Sequence, residues 1–407
     1  MSDGNAVVVG AGLSGLRAAE AFRRHGHTGR LMLIGEETHL PYDRPPMSKD
    51  VLVNDVDPEP AWLSSPERLA EIGVETLLGV TVVSVDTTAR HLVLGDGTEL
   101  PFDHLVIATG VRPRTLPQLG SAPEVVVLRT WADALALRAA LRTVQHVTVV
   151  GGGVLGAEIA ASARSRGSQV TLVETADTLL AVALPRQLGE AVTALHRRHD
   201  VDVRLSVSAR AVVVESGRRS VELSDGTSHV TDLIVLAIGS LTNTEWLGGS
   251  GVVVDNGVVT DGYGLTSIEG IAAVGDVARA DDGVASPRRE HWTRAADSTD
   301  PVVANLLAAP ADRVTVTDVP YFWSDQFGLK IQGLGAYRAT DDIRVVAGSL
   351  DDTWLAVHSR DGVVTGATGA GMTAGINRCR TAVTQGLPLA DLMDDAPWTR
   401  VRARAAR

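Results

Sequence analysis

Cysteine and long apolar runs are what this 407-residue chain lacks. Its single cysteine, Cys379, excludes an internal disulfide, a CxxC redox pair and a cysteine-based zinc site, and we expect no other metal site. No apolar run approaches the ~20 residues that a membrane-spanning helix requires. The first residues, Met1 to Asn5, also lack the basic region of a signal peptide. From these absences we expect, as the default, a cytoplasmic protein without a membrane partner.

Basic side chains are scarcer than acidic ones, with 37 Lys and Arg against 49 Asp and Glu and a formal net charge of -12. Lysine occurs only at Lys49 and Lys330. Because affinity for nucleic acid rests on basic patches, this balance argues against a nucleic-acid partner. Hydrophobic residues make up 44% and charged residues 21% of the chain, which predicts an ordered globular protein. A chain of this length predicts two or three domains.

One supersecondary pattern occurs twice, roughly 140 residues apart. In the first copy an apolar strand at residues 6–9 leads into the first glycine turn, Gly10–Gly15, then an alanine-rich helix, a second strand and Glu36. In the second copy a strand at residues 147–150 leads into the second glycine turn, Gly151–Gly156, and the pattern ends at Glu174. Each copy therefore has a strand, a glycine turn, a helix, a strand and an acid in the same order.

A glycine turn in this βαβ context, followed by an acid about 20 residues later, is typical of a dinucleotide-binding site. The glycines allow a tight turn and close approach of backbone N–H groups to a pyrophosphate, and the helix N-terminus attracts its charge. The alternative is two ordinary glycine-rich turns. Two dinucleotide sites in one chain predict that one holds a flavin and the other a nicotinamide, with hydride transfer between them.

Three further apolar strands end in small residues or an acid. Ala108-Thr109-Gly110 follows one strand, Ala237-Ile238-Gly239 follows its counterpart in the second half, and Gly275-Asp276 follows the third. The stretch between the two copies is rich in strand signals, with a hairpin turn predicted at Gly95-Asp96-Gly97. From about Val316 the pattern changes to short strands separated by glycines, which predicts a separate C-terminal α/β domain.

The order of these motifs resembles the glutathione-reductase-like flavoproteins that bind two dinucleotides. Within them, residues 41–49 (PYDRPPMSK) and 321–327 (YFWSDQF) resemble the ferredoxin reductases that serve Rieske oxygenases and haem-thiolate monooxygenases. The resemblance implies an α/β fold with two Rossmann-like dinucleotide-binding domains and a C-terminal α/β domain. Its implied division is an FAD-binding domain at 1–111 and 239–315, an NAD-binding domain at 112–238 and a C-terminal reductase domain at 316–407.

The resemblance also implies a set of FAD-binding residues. Ser14 and its neighbouring glycines would line the pyrophosphate, Glu36 would bind the adenosine ribose, Lys49 would lie by flavin N5 and Asp276 would bind the ribityl chain. The full set is Gly10, Gly12, Leu13, Ser14, Gly15, Glu36, Arg44, Lys49, Val83, Ala108, Thr109, Gly110, Arg129, Asp276 and Trp292. Arg129 could equally be a surface arginine before a helix, and Val83 an ordinary core residue.

The corresponding NAD-binding set lies in the second copy: Gly151, Gly153, Val154, Leu155, Gly156, Glu158, Glu174 and Gly239. Lys49 and Glu158 are the expected catalytic residues, with Glu158 as the partner that a buried lysine needs. The alternatives are a solvated loop lysine and an acid favoured by a helix N-terminus. A carboxylate at Glu174 would accept a hydrogen bond from a ribose 2′-hydroxyl and repel a 2′-phosphate, so NADH is favoured over NADPH.

No cysteine lies between Arg44 and Lys49, so the reduced flavin would pass its electrons to an external one-electron acceptor. We therefore expect an FAD-dependent, NADH-oxidising reductase of an iron–sulfur ferredoxin that feeds a haem-thiolate monooxygenase or Rieske oxygenase. The alternatives are an NADH oxidase or dehydrogenase that uses oxygen or a quinone, and a redox-responsive binding protein of the apoptosis-inducing-factor branch. We expect a monomer or weak homodimer. A ferredoxin-docking rim is predicted at Arg44, Arg288, Arg289, Arg294 and Arg338.

Overall fold

The computed structural model describes residues 4–55, 57–120, 124–281, 288 and 290–399. The chain forms two compact units. Unit 1 comprises Met1–Arg44, Glu59–Arg112 and Ser240–Asp318, and unit 2 comprises Pro45–Pro58, Pro113–Gly239 and Val319–Arg407. Pro45–Pro58 therefore belongs to unit 2 by its contacts, although the sequence places it within the FAD-binding domain. The three-domain division stays a prediction.

A five-stranded parallel sheet forms the centre of unit 1. Its strands are, in spatial order, Ile271–Ala273, His104–Ile107, Ala6–Val9, Leu31–Gly35 and Glu75–Leu78. Along the central strand Val8 packs in a core cluster with Leu16 and Phe22 of helix Leu13–Arg24, whereas Val7 packs in the cluster on the other face. Because both faces are covered, the inner strands Ala6–Val9 and Leu31–Gly35 are apolar throughout rather than alternating.

Unit 1 contains further strands and helices besides this sheet. A three-stranded antiparallel meander runs Val82–Asp86, His91–Leu94 and Glu99–Pro101, and the predicted hairpin turn at Gly95–Gly97 is confirmed between its last two strands. The helices are Leu13–Arg24, Pro66–Glu71, Trp292–Asp297 and Thr299–Leu307, with 3₁₀ turns at Glu245–Leu247, Gly275–Val277 and Pro310–Asp312. The short strands are Val111–Pro113, Ser240–Thr242, Val258–Thr260 and Ala278–Ala280.

Unit 2 contains a second parallel sheet of the same kind. Its strands are, in spatial order, Val201–Arg204, Gln169–Val173, His146–Val150, Leu233–Leu236 and Val125–Val126. An antiparallel meander follows, with strands Ala209–Glu215, Arg218–Leu223 and Ser228–Val230. The helices of this part are Asp50–Val53, Trp131–Leu141, Val154–Ser165 and Arg186–Arg198, with 3₁₀ turns at Pro45–Ser48 and Pro117–Leu119.

The C-terminal part of unit 2 is a five-stranded antiparallel sheet with helices on one face. In spatial order the strands are Tyr321–Gln326, Leu329–Gly335, Val363–Ala370, Trp354–Arg360 and Asp342–Gly348. The helices are Thr373–Gln385 and Leu389–Asp395, followed by a 3₁₀ turn at Pro397–Thr399. Cys379 is fully buried in the core between sheet and helix, and this burial raises the pKa of its thiol to about 11. In the part of the chain that the structure describes, no helix combines the length and apolar character needed to cross a bilayer.

Candidate functional site

The first glycine turn connects strand Ala6–Val9 to helix Leu13–Arg24 in unit 1. Gly10 has φ +114°, and a Cβ there or at Gly15 would come within 3.0 Å of a backbone carbonyl oxygen, of Ala108 and of Gly10 respectively. A Cβ at Gly12, by contrast, would meet only the Arg44 guanidinium within 4 Å. The turn is therefore closed toward the protein and open at the helix N-terminus, where backbone N–H groups can bind phosphate.

Arg44 lies at the open side of this turn. Its Nη2 donates to Glu37 Oε1 at 2.8 Å, and the hydroxyl of Tyr42 donates to Glu37 Oε2 at 2.6 Å. Glu37, which the sequence analysis did not single out, therefore fixes a guanidinium beside the predicted phosphate site. Glu36, the predicted ribose ligand, is exposed directly after strand Leu31–Gly35. A guanidinium is the side chain best suited to phosphate oxygens.

Two other predicted segments lie against the first glycine turn. Ala108 donates its backbone N–H to Val9 at 2.8 Å. Thr109 exchanges two hydrogen bonds with Asn243, of 2.8 and 2.9 Å, which fixes the small-residue turn that follows strand His104–Ile107. A Cβ at Gly275 would overlap the hydroxyl of Ser14, so the turn that carries Asp276 contacts the start of the helix. Unit 1 thus brings most of the predicted FAD set together around the Gly10–Gly15 turn.

The second glycine turn has the same backbone geometry in unit 2. Gly151 has φ +105°, and a Cβ there or at Gly156 would come within 3.0 Å of the carbonyl oxygen of Ala237 or of Gly151. A Cβ at Gly153 would meet nothing within 4 Å, so the N-terminus of helix Val154–Ser165 is open to a ligand. An open glycine turn at a helix N-terminus can bind a pyrophosphate. Gly239 accepts a backbone hydrogen bond of 3.0 Å from the N–H of Arg114.

The Glu174 carboxylate folds back onto the second glycine turn. Its Oε2 accepts from the N–H of Gly152 at 2.5 Å, and its Oε1 accepts from Thr175 Oγ1 at 3.0 Å and from the N–H of Ala176 at 2.8 Å. These bonds hold a negative charge at the end of the second strand, where the 2′-position of a bound nucleotide would be read.

Lys49 and Glu158, both in unit 2, form an ion pair. Lys49 Nζ lies 2.8 Å from Glu158 Oε2, with the two side chains 16% and 5% exposed. Lys49 Nζ also donates to the carbonyl oxygen of Pro45 at 3.0 Å. Ser48 donates to Glu158 Oε2 at 2.5 Å, and Ser324 donates to Oε1 at 2.8 Å. The predicted pairing is confirmed, and the alternative of a solvated loop lysine is wrong.

One stripe of helix Val154–Ser165 and the residue after it holds the segment that carries Lys49. Besides Glu158, Ser162 donates to the Ser48 carbonyl oxygen at 2.7 Å, and Arg166 donates to the Val53 carbonyl oxygen at 2.7 Å. Residues spaced four apart share one helix face, so Glu158, Ser162 and Arg166 contact the segment successively. These contacts explain why Pro45–Pro58 belongs to unit 2.

The other predicted residues lie apart from the two turns or on different elements. Trp292 donates its indole N–H to Asp43 at 2.6 Å in unit 1. Arg129 is in unit 2, where its N–H donates to Asp133 at 3.0 Å just before helix Trp131–Leu141. Val83 is 49% exposed, so it is not the core residue that the alternative supposed. Leu13, Val154 and Leu155 begin their helices.

The predicted docking arginines differ in exposure. The Arg288 side chain is only 5% exposed. Its guanidinium donates to the Asp276 carbonyl oxygen at 2.7 Å and pairs with the Glu290 carboxylate at 2.7 Å. Its assignment to a docking rim is therefore wrong, because a buried and paired guanidinium cannot meet a partner. Arg338 is exposed, and Arg289 lies outside the described residues.

Comparisons with known proteins cover nearly the whole chain. The sequence profile of the pyridine nucleotide-disulphide oxidoreductase family matches residues 4–299, and that of the reductase C-terminal domain matches residues 321–400. The ferredoxin–NAD(+) reductase component of the p-cumate 2,3-dioxygenase system of Pseudomonas putida is 37% identical, over 84% of this chain and 83% of the relative.

Solved structures agree with these matches. The ferredoxin reductase for the CYP199A2 system from Rhodopseudomonas palustris superimposes with a TM-score of 0.90 at 30% identity, covering 96% of this chain and 98% of that one. Putidaredoxin reductase, in its covalent complex with putidaredoxin, superimposes with a TM-score of 0.88 at 30% identity, covering 97% and 96%.

Proposed function

Because the chain belongs to the pyridine nucleotide-disulphide oxidoreductase family, and within it to the ferredoxin–NAD(+) reductases of oxygenase systems, we propose that it uses FAD to oxidise NADH and reduce an iron–sulfur ferredoxin. Bound FAD accepts two electrons as a hydride from NADH and can release them one at a time to an iron–sulfur cluster. The observation that carries the proposal is the presence, in one chain, of two open glycine turns of the same geometry.

Unit 1 supplies the residues suited to FAD. The backbone N–H groups at the start of helix Leu13–Arg24 would bind its pyrophosphate, and the Arg44 guanidinium, held by Glu37, adds positive charge at the same point. Asp276 sits on a turn that contacts Ser14, and it is our candidate for the ribityl hydroxyls.

Unit 2 supplies the residues suited to the nicotinamide nucleotide. The open N-terminus at Gly153 would bind the pyrophosphate of NADH, and Glu174, fixed by three hydrogen bonds, would accept one from the ribose 2′-hydroxyl. The same carboxylate disfavours the 2′-phosphate of NADPH, because two negative charges would meet at one point. The printed name of the Pseudomonas relative, a ferredoxin–NAD(+) reductase component, supports the same preference.

Lys49 is the residue to which we assign electrostatic stabilisation of the reduced flavin. The chain's own contribution is visible in unit 2, where the Glu158 carboxylate and the Pro45 carbonyl oxygen hold the ammonium in a fixed position. A preorganised charge costs no reorganisation when negative charge develops nearby.

An external electron acceptor follows from the lack of a usable thiol. Cys379 is buried and the pKa of its thiol is raised to about 11, so it is not the reactive thiolate that a thiol relay needs. The covalent complex of putidaredoxin reductase with putidaredoxin, a structural neighbour, supports a ferredoxin as that acceptor.

The decisive experiment follows anaerobic NADH oxidation by the FAD-loaded chain with cytochrome c as reporter, with and without a [2Fe–2S] ferredoxin from an oxygenase system. We expect cytochrome c reduction to depend on the ferredoxin, and kcat/KM for NADH to exceed that for NADPH by at least about tenfold. An oxygen electrode provides the control. NADH consumption that requires oxygen and ignores the ferredoxin would overturn the proposal in favour of an oxidase.

A further inference from the structure

A chain of buried hydrogen bonds runs from a histidine in the nucleotide-binding part of unit 2 to the Glu158 carboxylate. His196 Nε2 lies 2.8 Å from Gln326 Oε1, Gln326 Nε2 lies 2.8 Å from Ser324 Oγ, and Ser324 Oγ lies 2.8 Å from Glu158 Oε1. His196 belongs to helix Arg186–Arg198, and both Ser324 and Gln326 belong to the first strand of the C-terminal sheet. All four side chains are buried.

Counting protons fixes the direction of every bond in this chain. A carboxylate paired with Lys49 accepts only, so Ser324 must give its one hydroxyl proton to Glu158. The Ser324 oxygen must then accept from the Gln326 amide nitrogen, which turns the Gln326 amide oxygen toward His196. His196 must therefore carry its proton on Nε2. Each donor points toward Glu158.

The state of His196 agrees with this count. The ring is fully buried, and burial lowers its pKa to about 4, so it is neutral and has one N–H near pH 7. Among the described residues, its Nδ1 has no hydrogen-bond partner, as expected for the unprotonated nitrogen. The ring of Phe327 packs against it edge-on at 5.0 Å between centroids.

We propose that Ser324 and Gln326 are positioning residues for Lys49: their one-way hydrogen bonds from His196 fix the Glu158 carboxylate, and the carboxylate fixes the Lys49 ammonium. Glu158 Oε2 already accepts hydrogen bonds from Lys49 and Ser48, so the hydrogen bonds to Oε1 determine how the carboxylate is rotated. Besides Ser324, the N–H of Asp325 reaches Oε1 only at 3.3 Å. Without the Ser324 hydroxyl the carboxylate would lose its strong bond on that side.

This role accounts for a motif that the proposed reaction leaves unexplained. Residues 321–327 lie far in sequence from both glycine turns, beyond the match to the pyridine nucleotide-disulphide oxidoreductase profile at 4–299. The C-terminal sheet thereby contributes a buried hydroxyl to the ion pair of helix Val154–Ser165. The kinetic consequence rests on the proposed function, whereas the position of the ammonium does not.

The test uses the scarcity of lysine. Lys49 and Lys330 are the only lysines in the chain, so acetylation by an N-hydroxysuccinimide ester, read by peptide mass spectrometry on the FAD-loaded protein, reports on each separately. Lys330 pairs with Asp325 at 2.7 Å on the strand adjacent to Ser324 and monitors the integrity of that strand. The variants are Ser324→Ala, Ser324→Thr and Gln326→Met.

Thr368→Val is the matched control. Thr368 is fully buried in the same sheet, and its hydroxyl bonds to the buried His358 at 2.8 Å, but Glu158 is not its partner. Anaerobic stopped-flow reduction of the flavin by NADH gives the second readout, with the maximal rate and the apparent NADH affinity measured separately.

For Ser324→Ala we expect Lys49 acetylation to rise about fivefold while Lys330 acetylation stays constant, because one charge-assisted hydrogen bond is lost. Ser324→Thr should restore the wild-type rate, and Gln326→Met should give a smaller rise. As Lys49 becomes more accessible, the maximal rate of flavin reduction should fall, whereas the apparent NADH affinity should not change. Unchanged Lys49 acetylation in Ser324→Ala, an equal rise at Lys330, or the same effect from Thr368→Val would overturn the inference. Failure of ferredoxin reduction with the labelling result intact would instead count against the proposed function.

Discussion

Three glycines at equivalent positions give the two glycine turns the same backbone geometry, yet the residues around the turns differ. Five residues after Gly12, helix Leu13–Arg24 carries Arg17, which is 37% exposed and pairs with Glu20 on the surface of unit 1. Five residues after Gly153, the second helix carries Glu158, which is buried and pairs with Lys49. The shared turn provides the predicted phosphate site in both copies, and the differing helix position adds this buried ion pair in the second copy.

The acids that follow the two turns are not equivalent either. Strand register aligns Val9 with Ile34 and Val150 with Val173, so the position of Glu174 corresponds to Gly35, not to Glu36. In the first copy a Cβ at Gly35 would lie 2.6 Å from the Cβ of Ala11. In the second copy Ala11 is replaced by Gly152, which leaves room for Glu174. Side chains at the positions of Ala11 and Gly35 would occupy the same space. The first copy therefore carries its acid one residue later, at Glu36.

Adding one methyl group to either turn separates the two sites most sharply. In Gly15→Ala and Gly156→Ala the new Cβ would overlap a carbonyl oxygen of the turn, which demands a backbone shift costing about 3 kcal/mol. We expect Gly15→Ala to lose FAD from the purified protein. Gly156→Ala should keep FAD and need at least about tenfold more NADH for half-maximal flavin reduction. Gly153→Ala is the control, since it adds a methyl group to the open side of the second turn without backbone strain: its Cβ meets no protein atom within 4 Å. Equal loss of FAD from Gly15→Ala and Gly156→Ala would contradict separate sites.

Acid should destabilise unit 2 before unit 1. Burial lowers the pKa of His196 and of His358 to about 4, whereas both would titrate near 6.5 in the unfolded chain. Between these values the unfolded state binds more protons, so the stabilisation present above pH 6.5 is lost as the pH falls toward 4. At pH 4.5 the loss is roughly 2–3 kcal/mol for each histidine.

Hydrogen exchange at pH 7 and pH 4.5 measures this difference by peptide. The expected result is faster opening of the C-terminal sheet than of the parallel sheet in unit 1, where His104 also has a lowered pKa, again mainly through desolvation. His358→Gln should remove about half of the acid-induced loss of stability. Earlier opening of unit 1 at pH 4.5 would refute the prediction.

The two helix positions should respond differently to loss of their ion pairs. Lys49→Met leaves the Glu158 carboxylate buried without its cation, which should lower the free energy of unfolding by about 3 kcal/mol. The double variant Lys49→Met/Glu158→Met should recover most of that loss. Arg17→Met breaks a surface pair and should change the free energy by less than about 0.5 kcal/mol. Urea unfolding of the wild-type protein and the three variants measures these free energies. Similar losses for Lys49→Met and Arg17→Met would contradict the distinction between a buried and a surface ion pair.

Local patterns in the sequence predict the parts of the fold that depend on local sterics. The glycine spacings identify both turns, and the order of motifs identifies the family, the α/β fold class and the enzyme class, which the comparisons confirm. The domain division, the residue roles, the oligomeric state and the cytoplasmic location stay predictions.

Contacts between distant segments had no local signal. Glu158 and Ser324 are 166 residues apart, and His196 and Gln326 are 130 apart, so spacing could not connect them. Only the resemblance of residues 321–327 to a family motif marked that strand. Glu37 was overlooked because its neighbour Glu36 fits the expected order of the motif. In the structure, Glu37 is the residue that accepts the hydrogen bonds from Arg44 and Tyr42.

The attachment of Pro45–Pro58 to unit 2 sets a rule for building chimeras from these reductases. A graft that exchanged only Pro113–Gly239 and Val319–Arg407 would leave the Ser48 and Val53 carbonyl oxygens opposite foreign side chains in place of Ser162 and Arg166. The Lys49 segment must therefore be exchanged together with the other two stretches of unit 2, although in sequence it lies between two stretches of unit 1. A chimera of this kind would have to exchange three separate stretches of chain at once, because together they form one compact unit.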